Sequence, residues 1–266
     1  MVTINSNYSA AFAANAAKQT SSGLDSAVEK LSTGKRINYS RDDAAGQAIA
    51  TRLTAEIQGL SAASRNAADA QSLVDTADGA LQESHSVLLR MRELAVQSAN
   101  GTLTDADRLN TDAEFQQLEA ELTRIADNTT FAGLKLLDGS VKGTTTNPAL
   151  SFQIGEGANQ TITVSIADVD ATALSLNANA VSTASKAQTA ITAIDAAISE
   201  VSGERGKLGA VSNRLNSTIG NLDQINVNLS ASRGRIQDTD FAQETGNLAK
   251  NQILQQAATA MIAQAN

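Results

Sequence analysis

The chain carries one proline in 266 residues, Pro148, near its middle. Proline removes a backbone donor and collides with the preceding helical turn, costing about 3 kcal/mol inside a helix. Residues 1–147 and 149–266 are therefore free to stay helical over long stretches. A compact globule of this length has a diameter of roughly 45–50 Å. Residues 41–100 keep one apolar register and, as a single helix, would run about 90 Å. Such a helix does not fit inside such a globule. The pattern predicts a mainly α, elongated molecule of bundled or coiled helices.

Composition removes several kinds of chemistry. The chain has no cysteine and no tryptophan, so disulfides, thiolate nucleophiles and cysteine-bound metals are out. The net charge of −8, with Lys and Arg scattered, argues against nucleic acid, which needs a basic patch. No basic residue precedes Lys18 and no apolar run is long enough to span a bilayer. The sequence therefore predicts neither a cleaved secretory signal nor membrane insertion, and composition alone reads as cytoplasmic.

Helical spacing organises the rest. Leu24, Val28 and Leu31 mark a first helix that Gly34 closes. Ser40, with Asp43 three residues on, reads as the capping start of a second helix. Leu60, Ala63, Ala67, Ala70, Val74, Ala77, Leu81, Ser84, Leu88, Met91 and Ala95 then alternate by 3 and 4, a coiled-coil seam over five heptads. Many of these are alanine, which lets a partner helix approach closely. Asn100-Gly101 breaks the run, and Thr104 with Asp107 caps a third helix carrying Phe115, Leu118, Leu122 and Ile125 to about Asn128. Residues 131–182 turn glycine-rich, with alternating runs at 150–154 and 161–166 that predict β-hairpins, one turning at 156–159.

The helical seam returns near Ser185. Ile191, Ile194, Ile198 and Val201 lead into Leu208, Leu215, Leu222 and Leu229, four leucines seven apart, with polar Arg205, Ser212 and Asn226 between them. Leu81, Leu88 and Met91 with those four leucines form the expected bundle seam. The phase slips near Gly234, and a last stripe runs through Phe241, Leu248, Leu254, Ala258, Met261 and Ile262. The slip matches the Gly34–Ser40 connector, so residues 1–40 with 237–266 are expected to pair as one coiled-coil domain. Residues 41–236 form a helical bundle domain with hairpins at about 131–182. A two-helix unit cannot bury enough surface alone. Leu24, Val28, Leu31, Phe241, Leu248, Leu254, Met261 and Ile262 are accordingly read as an assembly interface.

No catalytic constellation emerges. His85 is the sole histidine, flanked by serines in the second helix, and no metal or cofactor cluster accompanies it. The stretch Gly203–Lys207 would need glycine at 201 and a hydroxyl at 208 to be a phosphate loop, but Val201 and Leu208 stand there. Asp42 and Asp43 read as solvated helix charges.

Both ends carry a resemblance. Leu31–Asn38 (LSTGKRIN), Asp42–Ala50 (DDAAGQAIA), Arg92–Asn100 (RELAVQSAN) and Asn128–Gly139 (NTTFAGLKLLDG) are similar to the N-terminal signature of bacterial flagellins. Ser232–Phe241 (SRGRIQDTDF) and Asn251–Gln256 (NQILQQ) resemble its C-terminal signature. The similarity covers roughly residues 1–140 and 185–266. It implies a structural subunit polymerising with copies of itself into the flagellar filament used for swimming, without the large outer variable domains of longer relatives. It implies type III export without a cleaved signal, so the expected location becomes the extracellular flagellum. The implied partners are the export apparatus, an export chaperone, and hook-associated and cap proteins. Family members usually continue past the equivalent of Asn266 into a further apolar tail. Leu89–Leu94 with Glu114 also resembles the surface read by the vertebrate flagellin-sensing Toll-like receptor, which would make Arg90, Leu94 and Glu114 host-receptor contacts. A hook–filament junction protein and a cytoplasmic helical-hairpin scaffold are the alternatives, and an enzyme is the weakest option.

Overall fold

The computed structural model describes residues 8–141, 143–144, 148–177 and 179–265. The terminal residues 1–7 and 266 of the expected paired domain lie outside them. The elements run α1 (Tyr8–Thr33), α2 (Ala44–Ala99), α3 (Asp105–Asn128), β1 (Thr130–Phe131), β2 (Leu134–Lys135), β3 (Leu150–Gln153), β4 (Thr161–Val164), α4 (Ala184–Gln237) and α5 (Phe241–Ala265). The 56 residues of α2 make a helix about 84 Å long. Two compact units divide the chain, Met1–Gln58 with Ile225–Asn266 and Gly59–Gln224. Both α2 and α4 contribute to each.

The unit 59–224 holds the main core. All eleven seam positions read in α2, Leu60 to Ala95, are buried. The apolar ones from Ala67 to Ala95 join Phe115 and Leu122 of α3 and Ile194, Val201, Leu208 and Leu215 of α4 in one apolar cluster. Burying each large aliphatic or aromatic side chain contributes roughly 1.5–3 kcal/mol. The inward face of α4 carries buried Glu204, not Arg205. Glu204 Oε1 accepts the Ala167 N–H at 3.1 Å and Oε2 accepts Lys207 Nζ at 2.9 Å, which satisfies a carboxylate at that depth. Arg205 and Ser212 instead lie at the seam edge and reach across to α2. Arg205 Nε meets Asp78 Oδ1 at 2.8 Å, and Gln71 Nε2 donates to Ser212 Oγ at 2.8 Å.

The hairpin region closes this core. β3 pairs with β4 antiparallel, Leu150 opposite Val164 and Gln153 opposite Thr161. A second, shorter hairpin, β1–β2, turns through Ala132 and Gly133 at φ +49° and +83°. Positive φ at both central residues is what a two-residue hairpin of this twist demands. The described residues of 165–181 run as turns and irregular chain rather than strand, yet Ile166, Val169, Leu174, Leu176 and Val181 are all buried. Backbone bonds from Ile166 N to Val141 O (3.0 Å) and Val169 N to Leu137 O (3.1 Å) tie the two halves of the cap together.

Arg108 finishes the end of α2. It is buried, and its Nε donates to Ser98 O at 2.9 Å, Nη2 to Asn100 O at 2.9 Å and Nη1 to Asp105 Oδ1 at 3.0 Å. The last carbonyls of a helix lack intrahelical partners and attract cations. Ser98 Oγ donates to Val181 O, and Asp112 Oδ1 accepts the Val181 N–H at 2.6 Å. Arg108→Ala should lower the stability of this unit by about 2 kcal/mol in chemical denaturation, because it strands the carbonyl of buried Ser98.

α3 starts with a full capping box. Thr104 Oγ1 accepts the Asp107 N–H at 3.3 Å, and Asp107 Oδ2 accepts the Thr104 N–H at 3.2 Å and its hydroxyl at 2.7 Å. Those bonds, the hydroxyl's first, hold the Asp107 carboxyl below the usual range. A depressed folded pKa stabilises above the unfolded value of about 4 and is lost as pH falls through the lower folded value. Amide exchange at residues 105–108 should therefore accelerate below about pH 4. If the centre of α3 loosened first, the cap would not be what holds this end.

Candidate assembly interface

In the other unit α1 packs along α5. Gly34 ends α1 at φ +71°, a conformation that favours glycine, with its N–H on Lys30 O at 2.9 Å. The following connector runs beside the α4–α5 connector. Thr239 N donates to Gly34 O (3.0 Å), Arg36 N to Gln237 O (2.7 Å) and Arg36 Nη2 to Ile236 O (2.8 Å). Ser40 lies in a turn, and the cap of α2 is Asp43, whose Oδ1 accepts the Gly46 N–H at 2.8 Å. Asp42 Oδ2 accepts the N–H groups of Asn38 and Tyr39, at 3.1 and 2.9 Å. Both aspartates therefore shape the connector rather than simply meeting solvent. Gly46 is needed at its position, since a Cβ there would lie 2.7 Å from Cδ1 of buried Ile37.

Along α1, the wholly or partly buried residues Ala10, Ala13, Ala17, Thr20, Leu24, Ala27 and Leu31 repeat by 3 and 4. Along α5 the half-buried set is Glu244, Leu248, Asn251, Gln255, Ala258 and Ile262, with the same repeat. The helices meet closely at Gly23, where a Cβ would come within 3.0 Å of Asn251 Nδ2. The expected interface thus divides into two faces. Leu24, Leu31, Leu248 and Ile262 belong to the α1–α5 seam, whereas Val28, Phe241, Leu254 and Met261 are exposed. Tyr8, Phe12 and Ile253 join the exposed set, unforeseen because each falls off the inward stripe. Tyr8, Phe12, Ala13, Ala16, Ala258 and Met261 line an apolar groove of about 490 Å³.

α5 departs from the usual polarity. In a finished two-helix unit the apolar side chains face the partner and polar ones face water. Here three polar residues of α5, Glu244, Asn251 and Gln255, sit half-buried, while Phe241, Ile253, Leu254 and Met261 point outward.

The bundle-seam residues Leu81, Leu88, Met91, Leu208, Leu215 and Leu222 are buried. Leu229 is only half-buried and lies in the unit of α1 and α5, past the end of the main core. Arg90 and Glu114 come together at the surface, with Arg90 Nε and Nη2 at 2.9 and 2.8 Å from Glu114 Oε1 and Nη1 at 2.6 Å from Glu93 Oε2. Glu114 first, then Glu93, raises the Arg90 pKa. Leu94 does not join them: it is 1% exposed inside the core cluster and offers a receptor no surface. The exposed apolar side chain beside Arg90 is Leu89.

Among the described residues no cluster of His, Asp and Glu could hold a metal, and no helix is long and apolar enough to cross a membrane. Long helices, one finished core and an outward apolar face together define a helical subunit built for assembly. Residues 4–142 match the bacterial flagellin N-terminal helical region, and residues 191–266 match the bacterial flagellin C-terminal helical region. A flagellin of Halalkalibacterium halodurans is 46% identical over 242 residues, 90% of this chain and 87% of that one. A flagellin of Bacillus subtilis is 42% identical across 99% of this chain and 96% of that one. The crystal structure of Bacillus cereus flagellin matches with a TM-score of 0.52 at 35% identity, over 59% of this chain and 88% of that one. The chain belongs to the bacterial flagellin family, a family of structural proteins, and is a subunit of the flagellar filament that polymerises with copies of itself.

Proposed function

We propose that α1 and α5 form the inner layer of the filament and that neighbouring copies cover their outward side chains Val28, Phe241, Leu254 and Met261. The observation that carries this reading is the mixed polarity of α5, with Ile253, Leu254 and Met261 outside while polar Asn251 and Gln255 take places within beside Leu248 and Ile262. Burial of apolar surface between copies is the driving force. In this reading residues 1–40 and 237–266 make the inner domain, and residues 41–236 make the surrounding layer. The backbone pairing of Gly34–Arg36 with Gln237–Thr239 supports a boundary there. Axially stacked helices then carry motor torque along a stiff tube, with no catalysis involved. The chain is exported through the flagellar type III apparatus with a chaperone's help, adds at the filament tip under the cap, sits beyond hook-associated proteins, and works outside the cell. Purified chain supplied with filament fragments should extend them, as seen by electron microscopy. A dispersed monomer that never elongates seeds, even at high concentration, overturns the reading.

The exposed Arg90–Glu114 pair favours a second role, recognition of the monomer by a vertebrate Toll-like receptor. Three ion-pair hydrogen bonds fix the guanidinium, giving a preorganised anchor, and the neighbouring residue in the chain, Leu89, is exposed. Arg90→Ala should weaken receptor activation by about tenfold or more. An unchanged response removes this role and leaves filament assembly untouched.

A further inference from the structure

Asn100 alone among the asparagines is followed by glycine, and the pair lies just past the end of α2, where both residues are exposed. Asn100 Oδ1 accepts the Thr102 N–H at 3.2 Å. A turn of this kind curls an asparagine side chain along the peptide that follows it. Among the described residues the Gly101 N–H has no hydrogen-bond acceptor. A Cβ at Gly101 would meet nothing within 4 Å, so the approach to this nitrogen is open.

Two neighbours activate the pair. Arg108 Nη2 donates to Asn100 O at 2.9 Å, and Leu103 N donates to the same oxygen at 3.3 Å. That carbonyl shares its peptide unit with the Gly101 nitrogen. A guanidinium on its oxygen stabilises the anion left when the nitrogen loses its proton, as a nearby cation favours any anionic form. The Thr102 N–H polarises the side-chain carbonyl that would be attacked.

We propose that Asn100–Gly101 is a site of spontaneous deamidation that the fold accelerates. The Gly101 nitrogen gives its proton to solvent base, and its electron pair attacks Asn100 Cγ. The Cγ–Nδ2 bond breaks, Nδ2 takes a proton from water and leaves as ammonia, and a cyclic imide remains. Water then opens the imide at one of its two carbonyls. Opening at Cγ restores the peptide with aspartate at 100, whereas opening at the backbone carbonyl gives a β-linked isoaspartate. Either product adds a negative charge at the end of α2. In the β-linked product the chain runs on through Cγ with one extra backbone atom, and the former Asn100 carbonyl that Arg108 holds becomes a free carboxylate. The conversion needs no enzyme, so it accumulates with the age of the subunit.

The test compares the full chain, folded, with the same chain held unfolded in guanidinium chloride at equal pH and temperature. Mass spectrometry of the peptide containing residues 98–104 follows the exchange of amide for carboxyl. Conversion should be several-fold faster in the folded chain, rise with pH in both, and yield isoaspartate with aspartate. Gly101→Ala, whose methyl group enters open space, should suppress it without disturbing the helices. A folded chain that keeps its amide, or loses it no faster than the unfolded chain, overturns the proposal.

Discussion

Leu254→Asp should abolish filament growth while leaving the melting of the isolated chain unchanged. Leu254 is 44% exposed on α5, so in the monomer the new carboxylate stays hydrated and costs within about 0.5 kcal/mol. Under a neighbouring copy the same carboxylate would lose its water without a partner, at a cost of several kcal/mol. The leucine's own burial, roughly 2 kcal/mol, is lost as well. A combined loss of about 5 kcal/mol or more raises the concentration needed for growth by more than about a thousandfold. Sedimentation of seeded samples reads that concentration, and circular dichroism reads the fold. Leu248→Asp is the contrasting substitution, because Leu248 is half-buried toward α1 and should weaken that pair in the monomer itself. Normal growth from Leu254→Asp would mean that copies do not cover this face.

Phe115→Ala should destabilise the main core by about 3–5 kcal/mol, the range for a fully buried aromatic. Phe115 is 0% exposed and packs in the cluster shared by α2, α3, α4 and the hairpin cap. For a unit of this size each kcal/mol lowers the melting temperature by about 2–4 °C, so the shift should be about 10 °C. Leu109, on the same helix and 60% exposed, is the control, and Leu109→Ala should change stability by no more than about 0.5 kcal/mol. Equal effects from the two would contradict the burial that separates them.

The long helices were legible because the apolar signal repeats many times. Between Leu60 and Ala95 the 3,4 alternation offers one inward face, and every residue on it is buried. Single-residue features were harder. Glu204 looks like any surface carboxylate until the Ala167 N–H and Lys207 Nζ are seen to satisfy it. Ser40 and Asp43 are both good helix caps, and only the turn at Tyr39–Asp42 decides between them. The β1–β2 hairpin has two residues per strand, too few for an alternating pattern, and it needs Ala132 at positive φ. Leu94, part of the stretch whose resemblance suggested a receptor-facing surface, stands on the inward side of α2.

The assembly face was only half legible, for a different reason. Helical periodicity finds which residues share a stripe, yet it does not say which stripe meets the partner within the chain. On α5 several of the greasiest residues stand outside, and half of the stripe that meets α1 is polar. That arrangement makes sense only when more than one copy is counted.

The clasp between the two connectors also sets an order of events. Arg36 and its acceptor Ile236 O are 200 positions apart, so that bond waits on closure of the whole intervening chain. Closing so wide a loop is slow relative to local helix formation. A chain arriving head first must hold its leading helix unmated until its tail has followed, making this pair the last to zip and the first to fray.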